Sequence, residues 1–235
     1  MKNQCLSIVV PAFNEANYIT DALKSIRAQT YNPIELIVVN NNSSDQTESQ
    51  AKPYADRIIN EPKKGYVNAC ITGCAAATGQ YISICPADAR YHPTWAASMI
   101  QQLEQQPSAV AVYGTCRTYD ASRLVNQLNY YGYTLFLIVS RLFGLDNTAD
   151  FNFIMKKSTF DAVGGYLSAY KKMSPDIDLG KRLKTQGALI FDRSSCIDVS
   201  FRRHQSDGFW HSMKLYGKAW LSQLLNRTPT DDAHV

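Results

Sequence analysis

The sequence lacks the signatures of several common classes of protein. None of its six cysteines forms a CxxC pair, which argues against a zinc ribbon or a redox dithiol. It does not open with a basic head, an apolar run and a small-residue cleavage site, so we expect a cytoplasmic protein. The longest apolar stretch, residues 133–145, contains Ser140 and Arg141 and is shorter than the roughly 20 residues that cross a bilayer.

A concentrated excess of charge is also absent. Lys and Arg total 24 and Asp and Glu total 20 among 235 residues, which gives a net charge of +4 spread along the chain. A nucleic-acid-binding protein would need a basic stripe, so we expect no nucleic-acid partner. Apolar residues make up 45% of the chain, enough for a large core, and no linker or repeat divides it, which favours a single domain.

Strands and helices alternate over the first 90 residues. Short apolar runs rich in β-branched residues predict buried strands, and apolar residues at helical spacing predict helices between them. The predicted strands are residues 6–10, 34–39, 57–60 and 81–85, and the predicted helices are residues 18–29 and 68–77. We expect the first strand to stop at Pro11. The order indicates an α/β fold with a mainly parallel sheet flanked by helices.

The second half loses this regular alternation. Its sequence pattern predicts helices at residues 95–105, 126–144, 158–163 and 176–186. It predicts strands at residues 109–113, 151–155, 189–191 and 197–201. We expect a domain over residues 1–205 with halves at 1–90 and 91–205, followed by an amphipathic helix and tail over 206–235.

Four polar loops are the expected places for a ligand, because ligands of open parallel sheets bind beyond the carboxyl ends of the strands. Their sequences are PAFNE (11–15), NNNSSD (40–45), PADA (86–89) and SPDID (174–178). None is a G-x-G-x-x-G or G-x-x-x-x-G-K-[ST] motif, which argues against a dinucleotide dehydrogenase and a P-loop enzyme.

The chain resembles the inverting glycosyltransferases of family 2 through five motifs in order: SIVVPAFNEANYI, IELIVVNNNSSDQT, ATGQYISICPADARYHPTW, AVGGY and SPDIDLGKRL. The resemblance extends to about Arg203. It implies the GT-A fold, a Rossmann-like mixed sheet, and an enzyme of the hexosyltransferase type. Such an enzyme uses a nucleotide-diphosphate sugar, one divalent metal (Mg²⁺ or Mn²⁺) that bridges the diphosphate, and an acceptor hydroxyl that attacks the sugar.

The resemblance and the chemistry of the side chains together give a set of candidate donor-binding residues. They are Pro11, Ala12, Phe13, Glu15, Asn40, Asn42, Gly65, Ala87, Asp88, Arg202 and Arg203. The family usually has an acidic residue where Asn40 stands, and its Arg-Asn pair is absent at positions 70 and 71, which are Cys70 and Ile71. Uridine diphosphate is the default nucleotide, by its frequency in the family.

Asp88 aligns with the last carboxylate of the family's DxD motif, and its hard oxygen atoms suit Mg²⁺ or Mn²⁺. The first carboxylate of that motif is replaced by Pro86. His204 is a further candidate for the metal. Arg202 and Arg203 suit bidentate recognition of the leaving diphosphate, although a solvated basic loop explains these two arginines equally.

Asp176 matches the carboxylate that serves as general base in the family, where it takes the proton of the acceptor hydroxyl. The alternative role for Asp176 is that of an acidic residue favoured by the dipole at a helix start, which Asp178 could fill as well. The family usually has Glu immediately before the base, and this chain has Pro175.

Two other functions stay open. Proline at positions 86 and 175 is compatible with a nucleotide-sugar-binding protein that has lost catalysis. A nucleotidyltransferase has a similar sheet, but PAFNE is not the Gly-rich loop with Arg and Lys that such an enzyme needs. The retained carboxylates Asp88 and Asp176 favour an active transferase with a glycan or lipid-linked acceptor.

A basic amphipathic helix is predicted near the end of the sequence. Its apolar residues recur at steps of three or four: Phe209, Met213, Tyr216, Trp220 and Leu224. Lys214 and Lys218 lie elsewhere on the helical wheel. Such a helix packs against its own domain or lies on a membrane, with residues 130–145 and 209–225 as a peripheral contact on the inner face of the cell membrane. The same apolar surface fits an oligomer interface.

Overall fold

A mixed β-sheet forms the centre of the protein in a computed structural model that describes residues 4–146, 151–168, 175–202 and 209–225. Its strands are β1 (Leu6–Ala12), β2 (Ile34–Asn40), β3 (Arg57–Asn60), β4 (Tyr81–Ile84), β5 (Ala89–Arg90), β6 (Ala109–Thr118), β7 (Phe153–Lys156) and β8 (Ala188–Val199). They lie in the order β3-β2-β1-β4-β7-β6-β8-β5.

Parallel pairing dominates the first half of the sheet. β1 pairs parallel with both β2 and β4, and β2 pairs parallel with β3. The second half is mixed, because β7 runs antiparallel to β4 and β6, whereas β6 and β8 are parallel. At the far edge, the two residues of β5 pair antiparallel with the end of β8, where Ala89 lies opposite Val199. The expected mixed, mainly parallel α/β fold is confirmed.

Helices cover both faces of the sheet. They are α1 (Ile19–Arg27), α2 (Thr47–Ala51), α3 (Tyr66–Ala76), α4 (Trp95–Gln105), α5 (Arg123–Leu142), α6 (Lys157–Ala162), α7 (Pro175–Lys184) and α8 (Phe209–Leu224). Ile8 and Val10 of β1 pack in one buried cluster with α1 and α4, and Val9 packs in the other with α3, α5 and α7. Because both faces of β1 are buried, its sequence is an almost continuous apolar run.

Two boundary predictions are wrong. β1 does not stop at Pro11 but continues to Ala12, and Pro11 lies opposite Val39 in the ladder with β2. Proline is tolerated there because the pairing of β1 with β4 has already ended at Val9, so one side of the strand needs no donor. The predicted strands 189–191 and 197–201 are not separate: residues 189–191 and 197–199 both belong to β8, whose ladder with β6 contains a register shift that accommodates the residues between them.

None of the helices in the described ranges combines the length and the hydropathy of a bilayer-spanning segment.

Candidate functional site

The loops that follow β1 and β2 are tied together by hydrogen bonds from backbone to side chain. The backbone N–H of Glu15 donates to Oγ1 of Thr47 (2.7 Å), and that of Ala16 donates to Oδ2 of Asp45 (3.1 Å). Asn14 adopts a φ of 54°, a left-handed conformation that asparagine tolerates. The PAFNE and NNNSSD loops therefore form one structural unit at the carboxyl edge of the parallel strands.

The side chain of Asn40 is held by hydrogen bonds within that unit. Its side chain is only 7% exposed, and Nδ2 donates to Oε2 of Glu48 (2.9 Å) and to Oδ1 of Asn60 (3.1 Å). Its Oδ1 accepts from the backbone N–H of Ser43 (3.1 Å). Both N–H donors of the amide are used within the protein, so the remaining lone pair of Oδ1 is what Asn40 has left to offer a ligand.

Asn41 is a structural residue of the site that the sequence analysis missed. Its buried side chain donates to the carbonyl oxygens of Glu61 and Lys63 (2.9 Å each) and accepts from the N–H of Gly65 (2.8 Å). Gly65 has a φ of 131°, which disfavours any residue with a Cβ. The signal in the sequence was the run of three asparagines, which does not reveal which of them faces inward.

The PAFNE loop exposes one aromatic ring to solvent. Phe13 is 48% exposed, and the ammonium group of Lys64 lies 5.3 Å from its ring centroid. Asn42 is also exposed, with its Nδ2 donating to the carbonyl oxygen of Pro62 (3.0 Å). By contrast, Pro11 and Ala12 are buried in β1, so only their backbone groups are suited to meet a ligand.

Three distant segments converge on the guanidinium group of Arg202. Its Nε donates to Oδ2 of Asp88 (2.9 Å), which belongs to the loop after β4, and its Nη2 donates to Oε1 of Glu15 (2.5 Å), which belongs to the loop after β1. The guanidinium carbon also lies 4.3 Å from the ring centroid of Tyr18. The structure thus brings together Glu15, Asp88 and Arg202, which the sequence analysis had assigned separately to the donor site.

Opposite charges dominate this cluster, which we call the Arg202 cluster. Burial alone would lower the pKa of the Arg202 guanidinium, but its hydrogen bond with Glu15 and its attraction to Asp88 raise that pKa. Arg202 is therefore a permanent cation, held between two partly buried carboxylates. Glu15 also supplies a carboxylate next to Asp88 where Pro86 has none.

Asp176 lies in a different environment. It is the second residue of α7, directly after Pro175, a residue type well suited to the first position of a helix. Burial raises the pKa of Asp176 to about 6, although hydrogen bonds from the backbone N–H groups of Ile177 and of Asp176 itself act in the opposite direction. Asp178 instead forms an ion pair with Arg182 on the same helix (2.7 Å).

Two predicted site residues, Arg203 and His204, lie outside the described residues, and so does Ser174 of the SPDID loop. Within the described ranges, no three His, Cys, Asp or Glu side chains are grouped as a ready-made metal site. Ala87, which precedes Asp88 in the same loop, is buried.

The C-terminal helix packs against its own domain. Nε1 of Trp220 donates to Oγ of Ser140 in α5 (2.9 Å), and Nζ of Lys181 in α7 donates to the carbonyl oxygen of Gln223 (2.9 Å).

Comparison with known proteins places these features in a family. The model of the glycosyl transferase family 2 matches residues 7–164, which include Glu15 and Asp88 but neither Asp176 nor Arg202. An uncharacterized glycosyltransferase of Rickettsia prowazekii is 40% identical over 90 residues, which are 37% of this chain and 28% of that protein. A glucosyl-dolichyl phosphate glucuronosyltransferase of Haloferax volcanii is 28% identical over 173 residues, which are 68% of this chain and 55% of that protein. The chain therefore spans between about a quarter and about half of the length of these relatives.

Solved structures agree on the fold. A mannosyltransferase of Pyrobaculum calidifontis in complex with GDP-Man and Mn²⁺ has a TM-score of 0.76 at 17% identity, covering 98% of this chain and 66% of that one. A glucosyl-3-phosphoglycerate synthase of Mycobacterium tuberculosis in complex with Mn²⁺, UDP and glucosyl-3-phosphoglycerate has a TM-score of 0.70 at 17% identity, covering 97% and 82%. The shared sheet and the match over two thirds of the sequence lead to one conclusion: the chain belongs to glycosyl transferase family 2.

Proposed function

We propose that the protein is a metal-dependent inverting glycosyltransferase, which moves a sugar from a nucleotide-diphosphate donor to a hydroxyl acceptor. A UDP-sugar is the default donor. The observation that carries the proposal is the Arg202 cluster, because its two carboxylates come from the two loops that bear the family's motifs, and its cation comes from the segment after β8.

The nucleotide half of the donor fits the unit formed by the first two loops. The exposed ring of Phe13 offers a flat apolar surface for a base, and aromatic rings stack on bases of any kind. Asn42 and Gly65 belong to the loops after β2 and β3 and are the other candidates for the nucleotide. Neither feature selects one base, which is why the nucleotide is assigned by family frequency.

The oxygen ligands present fit a divalent cation. Mg²⁺ and Mn²⁺ sites commonly use one or two carboxylates and complete their shells with water and substrate phosphates. Asp88 would hold the metal, and Glu15 provides the second carboxylate that Pro86 cannot. A bound metal would neutralise charge on the leaving diphosphate. The guanidinium group of Arg202 carries five N–H donors, so it can contact phosphate oxygens in addition to these carboxylates.

Asp176 is the proposed general base. In an inverting transfer, the acceptor oxygen bonds to the anomeric carbon as the bond to the diphosphate breaks, and the acceptor proton passes to a carboxylate. The pKa of Asp176, raised by burial to about 6, suits this role. The group is mostly ionised at neutral pH and yet is more basic than an ordinary aspartate.

For the acceptor and the location, the proposal is a glycan or a lipid-linked sugar in cell-envelope synthesis, reached from the inner face of the membrane. The relative from Haloferax volcanii carries a dolichyl phosphate in its name, which supports a lipid-linked acceptor. The basic helices α5 and α8 support a peripheral contact.

Calorimetric titration with a panel of nucleoside diphosphates, with and without Mn²⁺, tests the donor site. We expect one nucleotide to bind in a metal-dependent way, Asp88→Ala to abolish that dependence, and Asp161→Ala to leave it unchanged, since Asp161 pairs with Lys157 on the separate helix α6. Absence of binding for every nucleotide would contradict the proposal. Binding without transfer to any acceptor would instead favour the protein that has lost catalysis, which Pro86 and Pro175 motivate.

A further inference from the structure

Helix α5 has an outer face made of large apolar side chains. They are Leu124, Leu128, Tyr131, Leu135, Val139 and Leu142, each between 37% and 81% exposed. Their spacing of three or four residues places them on one stripe of the helix. From the first to the last, this outer stripe is about 27 Å long at the usual helical rise.

The opposite face of α5 is already used. Leu137 lies in the core, and the buried Thr134 forms a hydrogen bond with Thr115 of β6 (2.9 Å between the hydroxyl oxygens). A helix at the surface of a protein normally turns polar residues outward. Because α5 is apolar on both faces, and contiguous exposed apolar surfaces mark interaction sites, the outer stripe is suited to contact another apolar phase.

Helix α8 packs against the C-terminal end of α5. The ring of Trp220 packs edge-on against Phe143, the residue after α5, at 5.7 Å between centroids. Leu221 and Leu225, which follow Trp220, are 50% and 54% exposed. Helix α8 therefore adds two exposed apolar side chains close in sequence to its contact with α5.

Positive charge accompanies the apolar surface. The sequences of α5 and α8 contain Arg123, Arg141, Lys214 and Lys218 but no Asp or Glu. The buried Asp146 is shared by two cations, since its carboxylate lies 3.6 Å from Arg141 and 2.8 Å from Lys184 of α7. Arg141, Lys184 and Asp146 together thus remain net positive.

We propose that α5 and α8 dock in the plane of an anionic bilayer, with the outer stripe in the acyl boundary and the cations among the headgroups. This deepens, and rests on, the peripheral location proposed above, but it does not depend on sugar transfer. Anionic lipids complement the cations. A second copy of the chain does not, because a two-fold contact through α5 would bring like charges together.

Flotation of the full chain with lipid vesicles tests the proposal. We expect binding to vesicles of phosphatidylcholine mixed with phosphatidylglycerol to be at least about tenfold tighter than to phosphatidylcholine alone, and to weaken as salt is added. Leu128→Gln combined with Leu135→Gln should reduce it by at least about tenfold, since the two leucines supply buried apolar area. Leu167→Gln, a half-exposed leucine outside both helices, is the matched control and should bind as the unaltered chain does.

The contribution of positive charge to vesicle binding is tested by a second variant and its matched control. Lys218→Glu should weaken binding about tenfold, whereas Lys52→Glu, an exposed lysine after α2, should not change it. Circular dichroism and nucleoside diphosphate titration of each variant show that the fold and the donor site are intact, so a failed donor site and a failed docking face are told apart. Equal flotation of the double leucine variant would overturn the proposal. So would a lack of flotation combined with a dimer that the leucine changes dissociate in sedimentation equilibrium.

Discussion

The Arg202 cluster and Asp176 hold their carboxylates in opposite ways. Glu15 and Asp88 are each hydrogen-bonded to one guanidinium group, whereas burial has the largest influence on Asp176 and raises its pKa to about 6. A paired carboxylate keeps its charge and suits a cation or a diphosphate–metal complex. A desolvated carboxylate suits proton transfer. The contrast shows how the surroundings of a carboxylate group determine its electrostatic behaviour.

Removing the desolvated carboxylate should have the largest effect on this contrast. Asp176→Asn is expected to lower the rate of sugar transfer by about 10² or more, because the base is lost, while donor affinity stays unchanged. Single-turnover rates and calorimetry measure the two quantities. Asp178→Asn on the same turn is the control, since Asp178 pairs with Arg182, and it should retain most of the rate. Near-normal transfer by Asp176→Asn would remove it from the role of base.

Removing the shared cation tests the other side of the comparison. Arg202→Gln leaves Glu15 and Asp88 without their common partner. We expect the affinity for the nucleoside diphosphate to fall by about 10- to 100-fold, the equivalent of charged hydrogen bonds worth roughly 1.5 to 3 kcal/mol. Arg202→Lys should recover only part of it, because the bidentate geometry is lost. Unchanged affinity in calorimetry for Arg202→Gln would mean that the cation serves folding alone.

A substitution at Asn40 can create a third arrangement, in which two carboxylate groups lie next to each other. The family's usual acid at this position, introduced as Asn40→Asp, would lie against Oε2 of Glu48, 2.9 Å from the present amide nitrogen. We expect the free energy of unfolding to fall by about 1–3 kcal/mol, as for a lost buried hydrogen bond. Glu48→Gln in the same chain should restore stability. Urea unfolding of both single variants and the double variant measures this coupling, and additive effects would contradict it.

The stability of the protein should also depend on pH through Asp176. The folded pKa of Asp176 lies above the ordinary value of 3.8, so folding favours its protonated form. This stabilisation is complete below about pH 3.8 and is lost as the pH rises through about 6. Asp176→Asn should therefore gain stability relative to the unaltered chain by about 2 kcal/mol on going from pH 4 to pH 8. Thermal unfolding at both pH values measures the difference, and the transfer rate should rise through about pH 6 as the base ionises.

The sequence predicts the local parts of this structure better than its long-range contacts. Apolar periodicity identifies β1 to β4 and places α4 at Trp95–Gln105 without error, because those patterns depend on neighbouring residues. The pairing of Arg202 with Glu15 joins residues 187 positions apart, and nothing local signals it. The burial of Asp176 likewise depends on how α7 packs. β5 was missed because two residues are too few to show a period.

That shortest strand has a consequence for how the Arg202 cluster assembles. Asp88 immediately precedes β5, and Arg202 follows the end of β8 by three residues, so the pairing of Ala89 with Val199 anchors both backbones next to each other. When the guanidinium group meets the carboxylate, mainly side-chain rotations remain to be fixed. The loop-closure entropy of joining the two distant segments is offset by the strand pairing in the sheet. A site of this kind is preorganised, since much of the ordering that ligand binding would otherwise demand is completed during folding.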